Sequence, residues 1–310
     1  MKRLFRKIFR GAVLKKMLPP LRGLVRANEP LKRRNWLGVG GAAEVYFEPK
    51  DAADLSALIR AVPEEMITVL GAGSNTLIRD GGVPGVVVHL GRDFAQIQVK
   101  GNTLACGAGA LMSEIARAAE KNGIAGFEFM CGIPGTLGGG IRMNAGAFGR
   151  SMRDAVVEMQ AVLNNGQLHT LRAKGKDLFG YRECYIPSDW IFVSAVLRGR
   201  KLKSAAAIAK KRAAYQQKRD ASQPRGVRTL GSTFKNPQGL QAWKLIDKCG
   251  LRGARIRDAQ VSGKHTNFLV NAGNARAKDF ERLIDKIQTA VLRDQGVPLE
   301  LEIRKIGVEK

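Results

Sequence analysis

Several residue types that build common functional sites are scarce in this 310-residue chain. Its four cysteines form no Cys-x-x-Cys pair and its three histidines lack metal-ligand spacing, so we expect reduced, mostly buried thiols and no metal site. No apolar run reaches the roughly 18 residues that a membrane-spanning helix needs. The first residues, MKRLFRKIFRGAVLKKML, lack the continuous apolar segment and the cleavage site of a secretory signal. We therefore expect a cytoplasmic protein.

Acidic residues are also few, with 27 Asp and Glu against 52 Lys and Arg, which gives a net charge of +25. Such an excess suits a nucleic acid partner, an acidic membrane surface or a generally basic proteome. Aromatic residues make up only 6% of the chain, and its basic residues are spread along the whole length. Because binders of single-stranded nucleic acid interleave aromatic and basic residues, we expect no specific nucleic acid binding. The charge has no site-level explanation.

The composition indicates three regions. Residues 1–30 form a basic lead-in with apolar residues at helical spacing, namely Leu4, Phe5, Ile8, Phe9, Ala12 and Val13. They predict a helix that either packs on the body or makes weak contact with a membrane surface. Residues 31–200 mix strands and helices, and residues 201–310 form an α+β unit that opens with a basic helix.

Individual elements of the two larger regions follow from local patterns. Strands are predicted at AEVYFEP, EMITVL, GVVVHL, WIFVSAVLRGR, NFLVN and residues 299–304, and hairpins at Gly101-Asn102 and at Asn-Asn-Gly. One helix begins after the N-cap Asp51, and others end at Gly123 and Gly250. In a strand at 299–304, Glu300 and Glu302 would share one face, and the pattern does not choose between them.

The stretch VLGAGSN places Gly71 and Gly73 directly after a predicted strand. The dinucleotide fingerprint also requires a third glycine and an immediate helix. Thr76 occupies the third position, and the following LIRDGGVPGVVVHL predicts a strand instead of a helix. On this loop alone, a tight turn and an anion-binding nest of backbone N–H groups are equally good interpretations.

A second glycine-rich stretch, GIPGTLGGGIRMNAGA, has six glycines between Gly132 and Gly146. Glycine at this density costs folding entropy, so the stretch indicates a backbone that closely approaches a flat or multiply charged ligand. Two such loops in one region favour a large dinucleotide that is held mainly by backbone groups.

Five motifs in this order resemble the UDP-N-acetylenolpyruvoylglucosamine reductase family. They are VLGAGSNTLIRDGG, GIPGTLGGGIRMNAGAFG, GYRECYIP, GSTFKNP and LELEIRKIG, and the resemblance covers about residues 30 to 308. It implies an α+β chain with an FAD-binding fold of the vanillyl-alcohol oxidase type, built from two α/β subdomains, plus a C-terminal α+β substrate-binding domain. It also implies reduction of an enolpyruvyl ether with FAD and NADPH, in peptidoglycan precursor synthesis.

The resemblance also implies which residues hold the cofactor and which act on the substrate. The cofactor set is Gly71, Ala72, Gly73, Ser74, Asn75, Thr76, Leu77, Gly135, Thr136, Gly138, Gly139, Asn144 and Gly146. Ser232 matches the proton donor and Arg182 the arginine that polarises the substrate carboxylate. Of the two glutamates the motif selects Glu302, which would act in a protonated or hydrogen-bonded state.

The substrate side of the resemblance points to a UDP-sugar. Lys235 and Asn236 would face its diphosphate and sugar. The chain lacks the tyrosine-bearing insert of the long family subtype between Arg200 and Gly231, so it looks like the short subtype. In that subtype Arg225 is a candidate phosphate contact. We expect a monomer whose partners are the UDP-sugar and NADPH.

Two alternatives to this reductase stay open at this point. One is another FAD-dependent oxidoreductase of the same superfamily, and the other is a basic nucleic-acid-binding protein on a degenerate reductase scaffold.

Overall fold

The structure, a computed structural model, describes residues 11–173, 178–202 and 204–310. Its helices are α1 (Gly11–Met17), α2 (Ala52–Ala61), α3 (Met112–Lys121), α4 (Leu137–Arg142), α5 (Ala205–Ser222), α6 (Ala242–Lys248) and α7 (Ala277–Gln295). Of the apolar positions predicted for the N-terminal helix, Ala12 and Val13 lie in α1, and Leu4, Phe5, Ile8 and Phe9 lie outside the described residues.

The strands follow the chain from β1 to β21. They are β1 (Leu24–Pro30), β2 (Ala42–Glu48), β3 (Ile67–Val69), β4 (Thr76–Ile78), β5 (Val83–Val88), β6 (Ile97–Lys100), β7 (Thr103–Gly107), β8 (Ile124–Ala125), β9 (Gly146–Ala147), β10 (Arg150–Ser151), β11 (Val156–Val162), β12 (Leu168–Arg172), β13 (Phe179–Gly180), β14 (Glu183–Cys184), β15 (Ile191–Arg198), β16 (Arg200–Lys201), β17 (Arg228–Ser232), β18 (Arg255–Ile256), β19 (Ala259–Val261), β20 (Phe268–Asn271) and β21 (Arg304–Ile306).

The chain divides by its contacts into two units that interleave along the sequence. The first comprises Met1–Asn28, Glu44–Ala72 and Gly85–Arg219, and the second comprises Glu29–Ala43, Gly73–Pro84 and Asp220–Lys310. The contiguous limits 1–30, 31–200 and 201–310 stay predictions about the domains.

The first unit contains an antiparallel five-stranded sheet in the order β12-β11-β15-β7-β6. Both predicted hairpins belong to it, since β6 pairs with β7 around Gly101-Asn102 and β11 pairs with β12. A four-stranded sheet, β1-β2-β5-β3, lies largely in this unit and includes β1, which the sequence did not predict. Helix α2 begins where Asp51 accepts a hydrogen bond from the Asp54 N–H at 3.0 Å, as the N-cap predicts.

The second unit contains an antiparallel four-stranded sheet, β17-β20-β19-β18, and a parallel pair formed by β21 and β4. Helix α7 buries Phe280, Leu283, Ile284, Ile287 and Val291, which are spaced as one face of a helix. The helix ends at Gly296, whose left-handed φ of +67° allows its N–H to bond to the Leu292 carbonyl. This apolar face builds the core of the unit.

Two local predictions about backbone structure were wrong. The glycine-rich stretch contains helix α4 despite three consecutive glycines, which have low helix propensity. Residues 299–304 do not form a continuous strand: Leu301 makes a single bridge with Phe234 and the chain bends at 302–303. The bend occurs because the chain exchanges hydrogen-bond partners there, from residues 233–235 to residues 75–78.

Within the three described ranges, no helix combines the length and the apolar character needed to cross a membrane.

Candidate functional site

The two glycine-rich segments meet in the first unit at Thr136. A Cβ atom built on Gly71 would lie 2.9 Å from Thr136 Oγ1, and one built on Gly139 would lie 3.6 Å from the same oxygen. In the described part of the chain, no protein acceptor takes a hydrogen bond from the backbone N–H of Gly71, Ala72 or Gly139. Backbone donors without a protein acceptor beside a hydroxyl suit an anionic ligand such as a pyrophosphate.

Helix α4 explains other glycines of the second segment by close packing. A Cβ on Gly138 would lie 3.1 Å from the Ala108 Cβ, and one on Gly140 would lie 2.7 Å from the Met112 sulfur. Gly146 is equally restricted, because a Cβ there would lie 2.5 Å from the Arg150 carbonyl oxygen. Some of these glycines are therefore required for close packing inside the protein. The sequence had indicated only a close approach of the backbone to a ligand.

Arg182 lies at the tip of a very short hairpin in the first unit. Strands β13 and β14 contribute only two residue pairs, and Tyr181 and Arg182 form the turn. Arg182 has a φ of +57°, an unusual value for a residue other than glycine. Its guanidinium carbon lies 5.5 Å from the centre of the Tyr181 ring, which is 55% exposed. The arginine is thus presented at a loop tip in a strained backbone conformation.

Asn144 connects the glycine-rich segment with this hairpin. Its Nδ2 donates to the Gly180 carbonyl at 2.7 Å, and its Oδ1 accepts from the Arg153 N–H at 3.1 Å. The side chain is buried. Both ends of its amide are therefore engaged inside the protein, and a cofactor role would fall to the Asn144 backbone.

In the second unit, hydrogen bonds bring three of the motifs together. The Glu302 N–H donates to the Thr233 carbonyl at 2.9 Å, next to Ser232 at the end of β17. The Asn75 Nδ2 donates to the Glu302 carbonyl at 3.0 Å, and the Arg304 N–H donates to the Asn75 carbonyl at 2.9 Å. GSTFKNP, LELEIRKIG and the GAGSN loop thus share one corner of this unit.

The remaining predicted loop residues are placed by the backbone of this unit. Gly73 has a φ of +66°, and a Cβ there would lie 2.1 Å from the Arg34 carbonyl oxygen. Thr76 pairs with Arg304, and Leu77 is fully buried in the core. Leu77 therefore has a structural side chain, and only its backbone can serve a ligand.

The predicted substrate residues are engaged with the protein itself. Lys235 pairs with the exposed Glu300 at 3.3 Å, and the Asn236 Oδ1 accepts from the Ala242 N–H at 3.0 Å, at the start of α6. The exposed Arg225 pairs with Asp220 at 2.7 Å. Exposed ion pairs of this kind are weak, so Lys235 and Arg225 can exchange their carboxylate partners for a phosphate at little cost.

A basic cleft of about 530 Å³ also lies in the second unit. Its lining includes Lys32, Arg33, Arg228 and Trp36, whose ring is half exposed. Such a lining attracts anions. Sequence reasoning missed this group because Arg228 is far from Lys32, Arg33 and Trp36 in the chain.

The cysteines differ in exposure. Cys106 is buried, and burial raises its thiol pKa to about 12. The other three, Cys131, Cys184 and Cys249, are only partly buried, so the expectation of mostly buried thiols holds for Cys106 alone. Among the described residues, no three His, Cys, Asp or Glu side chains are grouped as metal ligands.

Comparisons with known proteins agree with these features. Residues 43–172 match the FAD binding domain family, and residues 223–306 match the C-terminal domain of UDP-N-acetylenolpyruvoylglucosamine reductase. The chain is 48% identical over 295 residues to that reductase from Paramagnetospirillum magneticum, with 95% of each chain covered. It is 49% identical over 297 residues to the reductase from Rhodospirillum rubrum, with 94% of this chain and 92% of the relative covered.

A solved structure of the same enzyme from Thermus caldophilus superposes with a TM-score of 0.80 at 33% identity, covering 93% of this chain and 100% of that chain. These matches confirm the predicted α+β architecture with an FAD-binding fold of the vanillyl-alcohol oxidase type. The chain belongs to the UDP-N-acetylenolpyruvoylglucosamine reductase family.

Proposed function

We propose that this protein reduces the enolpyruvyl group of UDP-N-acetylglucosamine enolpyruvate to UDP-N-acetylmuramate, with FAD as cofactor and NADPH as reductant. This reaction belongs to peptidoglycan precursor synthesis. The observation that best supports the assignment is the corner of the second unit in which Glu302 is hydrogen-bonded to Asn75 and to Thr233, the residue that follows Ser232. If each motif formed only a local turn, we would not expect three segments so far apart in the sequence to meet.

The residues around Thr136 fit a flavin dinucleotide. The N–H groups of Gly71, Ala72 and Gly139 would hold its pyrophosphate, helped by the Thr136 hydroxyl. When bound, FAD supplies the transfer of two electrons from NADPH to the enolpyruvyl double bond. Gly73, Ser74, Asn75 and Thr76 are also proposed to contact the cofactor. The backbone of Leu77, Gly135, Gly138, Asn144 and Gly146 completes the proposed cofactor set.

The chain's own groups then perform the acid–base part of the reaction. Arg182 would bind the substrate carboxylate through its planar guanidinium and stabilise the negative charge that develops beside it. Ser232 would donate a proton to the carbon next to the carboxylate. Glu302, whose backbone is fixed by Thr233 and Asn75, would hold the enol region by a hydrogen bond.

Lys235, Asn236 and Arg225 are proposed to bind the UDP-sugar. Lys235 and Arg225 would contact its phosphates, since each of their present ion pairs has one exposed side chain, Glu300 in the first and Arg225 in the second. Asn236 would offer its amide nitrogen to the sugar, because its oxygen caps α6. A cytoplasmic location, a monomeric state and a weak membrane contact of the N-terminal segment stay predictions.

The test separates the two halves of the reaction. Purified protein should absorb near 450 nm because of bound flavin, lose this band on anaerobic addition of NADPH, and regain it with the enolpyruvyl UDP-sugar. Ser232→Ala should keep the first step and lose the second by a factor of about 10² to 10⁴.

The other readings predict different results. Recovery of the band with a different acceptor only would indicate another FAD-dependent oxidoreductase. A colourless protein that binds DNA with a steep salt dependence would indicate the nucleic acid function.

A further inference from the structure

We propose that Arg142 is a positioning residue for Arg182: together with Asn144 it clamps the hairpin that presents the arginine to the substrate. The inference rests on the proposed function, because it assigns Arg142 to the same reaction. Neither the cofactor motif nor the substrate motifs gave Arg142 a role.

The first part of the argument is the hydrogen bonding of Arg142. Its Nη1 donates to the Ile186 carbonyl at 2.7 Å and to the Pro187 carbonyl at 3.0 Å, and its Nη2 donates to the Trp190 carbonyl at 2.5 Å. The guanidinium carbon also lies 4.6 Å from the centre of the Phe192 ring. Three charge-assisted hydrogen bonds and a ring contact therefore fix one guanidinium on the segment that follows the hairpin.

The second part is that the segment directly after the same short helix holds the other end of the hairpin. Asn144, two residues after Arg142, donates to the Gly180 carbonyl at 2.7 Å. Gly180 directly precedes the Tyr181-Arg182 turn, and Ile186 follows it by four residues. Because Asn144 is itself fixed by the Arg153 N–H, α4 and its C-terminal residues grip the hairpin on both sides.

The third part is that the hairpin has little stability of its own. Two residue pairs connect its strands, and isolated two-stranded hairpins are marginal even when longer. The turn additionally carries Arg182 in a left-handed conformation, which disfavours an L-residue. A strained tip on a short ladder keeps one orientation only where its surroundings impose it. Arg142 and Asn144 supply the polar part of these surroundings, next to the buried Phe179 and Ile186.

Lysine could not replace Arg142 in this arrangement. The three carbonyl oxygens are reached by two different nitrogens of a planar fork, whereas an ammonium is a single point charge on a flexible stem. A displacement of about 1 Å at a substrate-positioning group is sufficient for a loss of roughly 100-fold in rate. Arg142→Lys should therefore fold, keep flavin and still be slower.

The experiment is a double-mutant cycle in the flavin-loaded enzyme. Arg182→Gln should lower kcat/KM for the enolpyruvyl substrate by about 10- to 100-fold, since it loses charged hydrogen bonds to the carboxylate. Arg142→Met should lower it by about 10- to 100-fold, while flavin content and the rate of bleaching by NADPH stay within about twofold of wild type. In the Arg182→Gln background the same change should cost less than about twofold, because residues that act as a unit are not additive.

Arg60→Met is the matched control. Arg60 also lies in the first unit and donates to a backbone carbonyl, that of Gly166, at 3.2 Å, but it has no connection with the hairpin. Its removal should leave kcat/KM unchanged within about twofold, as for a surface contact.

Three results would decide against the proposal or its basis. Equal losses from Arg142→Met in both backgrounds would make Arg142 a general stability residue and overturn the positioning role. Wild-type turnover by Arg182→Gln would instead contradict the proposed function. If Arg142→Met fails to fold, Arg142→Lys serves in its place, and hydrogen exchange at the Tyr185 N–H, which bonds to Leu178, should be faster than in wild type. Unchanged exchange with unchanged kcat/KM would refute the clamp.

Discussion

The backbone conformation of Arg182 predicts that glycine at this position gives a more stable protein than alanine does. With a φ of +57°, the residue occupies a conformation that costs an L-residue roughly 1–2 kcal/mol relative to glycine. Arg182→Ala and Arg182→Gly remove the same guanidinium and the same contact with Tyr181. Their difference in the free energy of unfolding therefore contains only backbone terms, namely the strain and the greater unfolded-state entropy of glycine.

The magnitude follows from two opposing terms. Glycine removes the backbone strain, which stabilises the folded state by about 1–2 kcal/mol. It also increases the conformational entropy of the unfolded chain, which lowers the free energy of unfolding by about 0.4–1 kcal/mol. The remaining difference lies between about 0 and 1.6 kcal/mol, centred near 0.8 kcal/mol, in favour of Arg182→Gly over Arg182→Ala. Both variants should lose the turnover that we ascribe to the guanidinium.

Urea unfolding followed by fluorescence measures this difference, with the slope of the transition compared between variants. Glu183, the next residue, is exposed and is not among the residues with positive φ, so it supplies the matched control. There Glu183→Gly should be less stable than Glu183→Ala by about 0.5–1 kcal/mol. If Arg182→Gly is less stable than Arg182→Ala, as expected at the control position 183, the strain argument is wrong.

Three further predictions address other parts of the chain. Gly71→Ala should lower the free energy of unfolding by about 1–3 kcal/mol, because its Cβ would lie 2.9 Å from Thr136 Oγ1. Gly139→Ala, whose Cβ would lie 3.6 Å from the same oxygen, should be tolerated. Equal urea midpoints of the two variants would contradict the predicted crowding at Gly71. Glu302→Gln should reduce turnover about 10²- to 10⁴-fold with flavin absorbance retained, and normal reduction of the substrate would remove Glu302 from the mechanism. Burial raises the Cys106 thiol pKa to about 12, so this thiol stays protonated at pH 8. A thiol reagent should therefore label Cys106 only after denaturant is added, with the labels counted by mass spectrometry. Rapid labelling of Cys106 in the native protein would disprove its burial.

The sequence predicted elements well where local chemistry decides them. Asp51 caps α2, the Gly101-Asn102 turn forms a hairpin, and Gly123 and Gly250 lie directly after the C-caps of α3 and α6. It failed where tertiary contacts override local preference. In helix α4, Gly138 and Gly140 leave room for Ala108 and Met112, and those neighbours precede them by about thirty residues.

The residues of the candidate site were less predictable from local sequence patterns than the helices and turns were. Arg182, Ser232 and Glu302 came from the resemblance of whole motifs, since each alone is an ordinary surface residue type. Arg142 had no signal at all, because its three carbonyl partners lie 44, 45 and 48 residues further along the chain. Hydrogen bonds to backbone carbonyls carry no information about the partner's side chain, so no sequence pattern records them.

The change of hydrogen-bond partners near residue 302 also affects the order in which parts of the protein can fold. Asn75 and Glu302 are separated by 227 positions, and β4 pairs in parallel with β21 at residues 304–306. During synthesis, the GAGSN end of β4 leaves the ribosome long before this pairing partner exists. The corner at Asn75 is therefore completed only after translation has passed residue 306, and firm uptake of the cofactor should be an event of the finished chain.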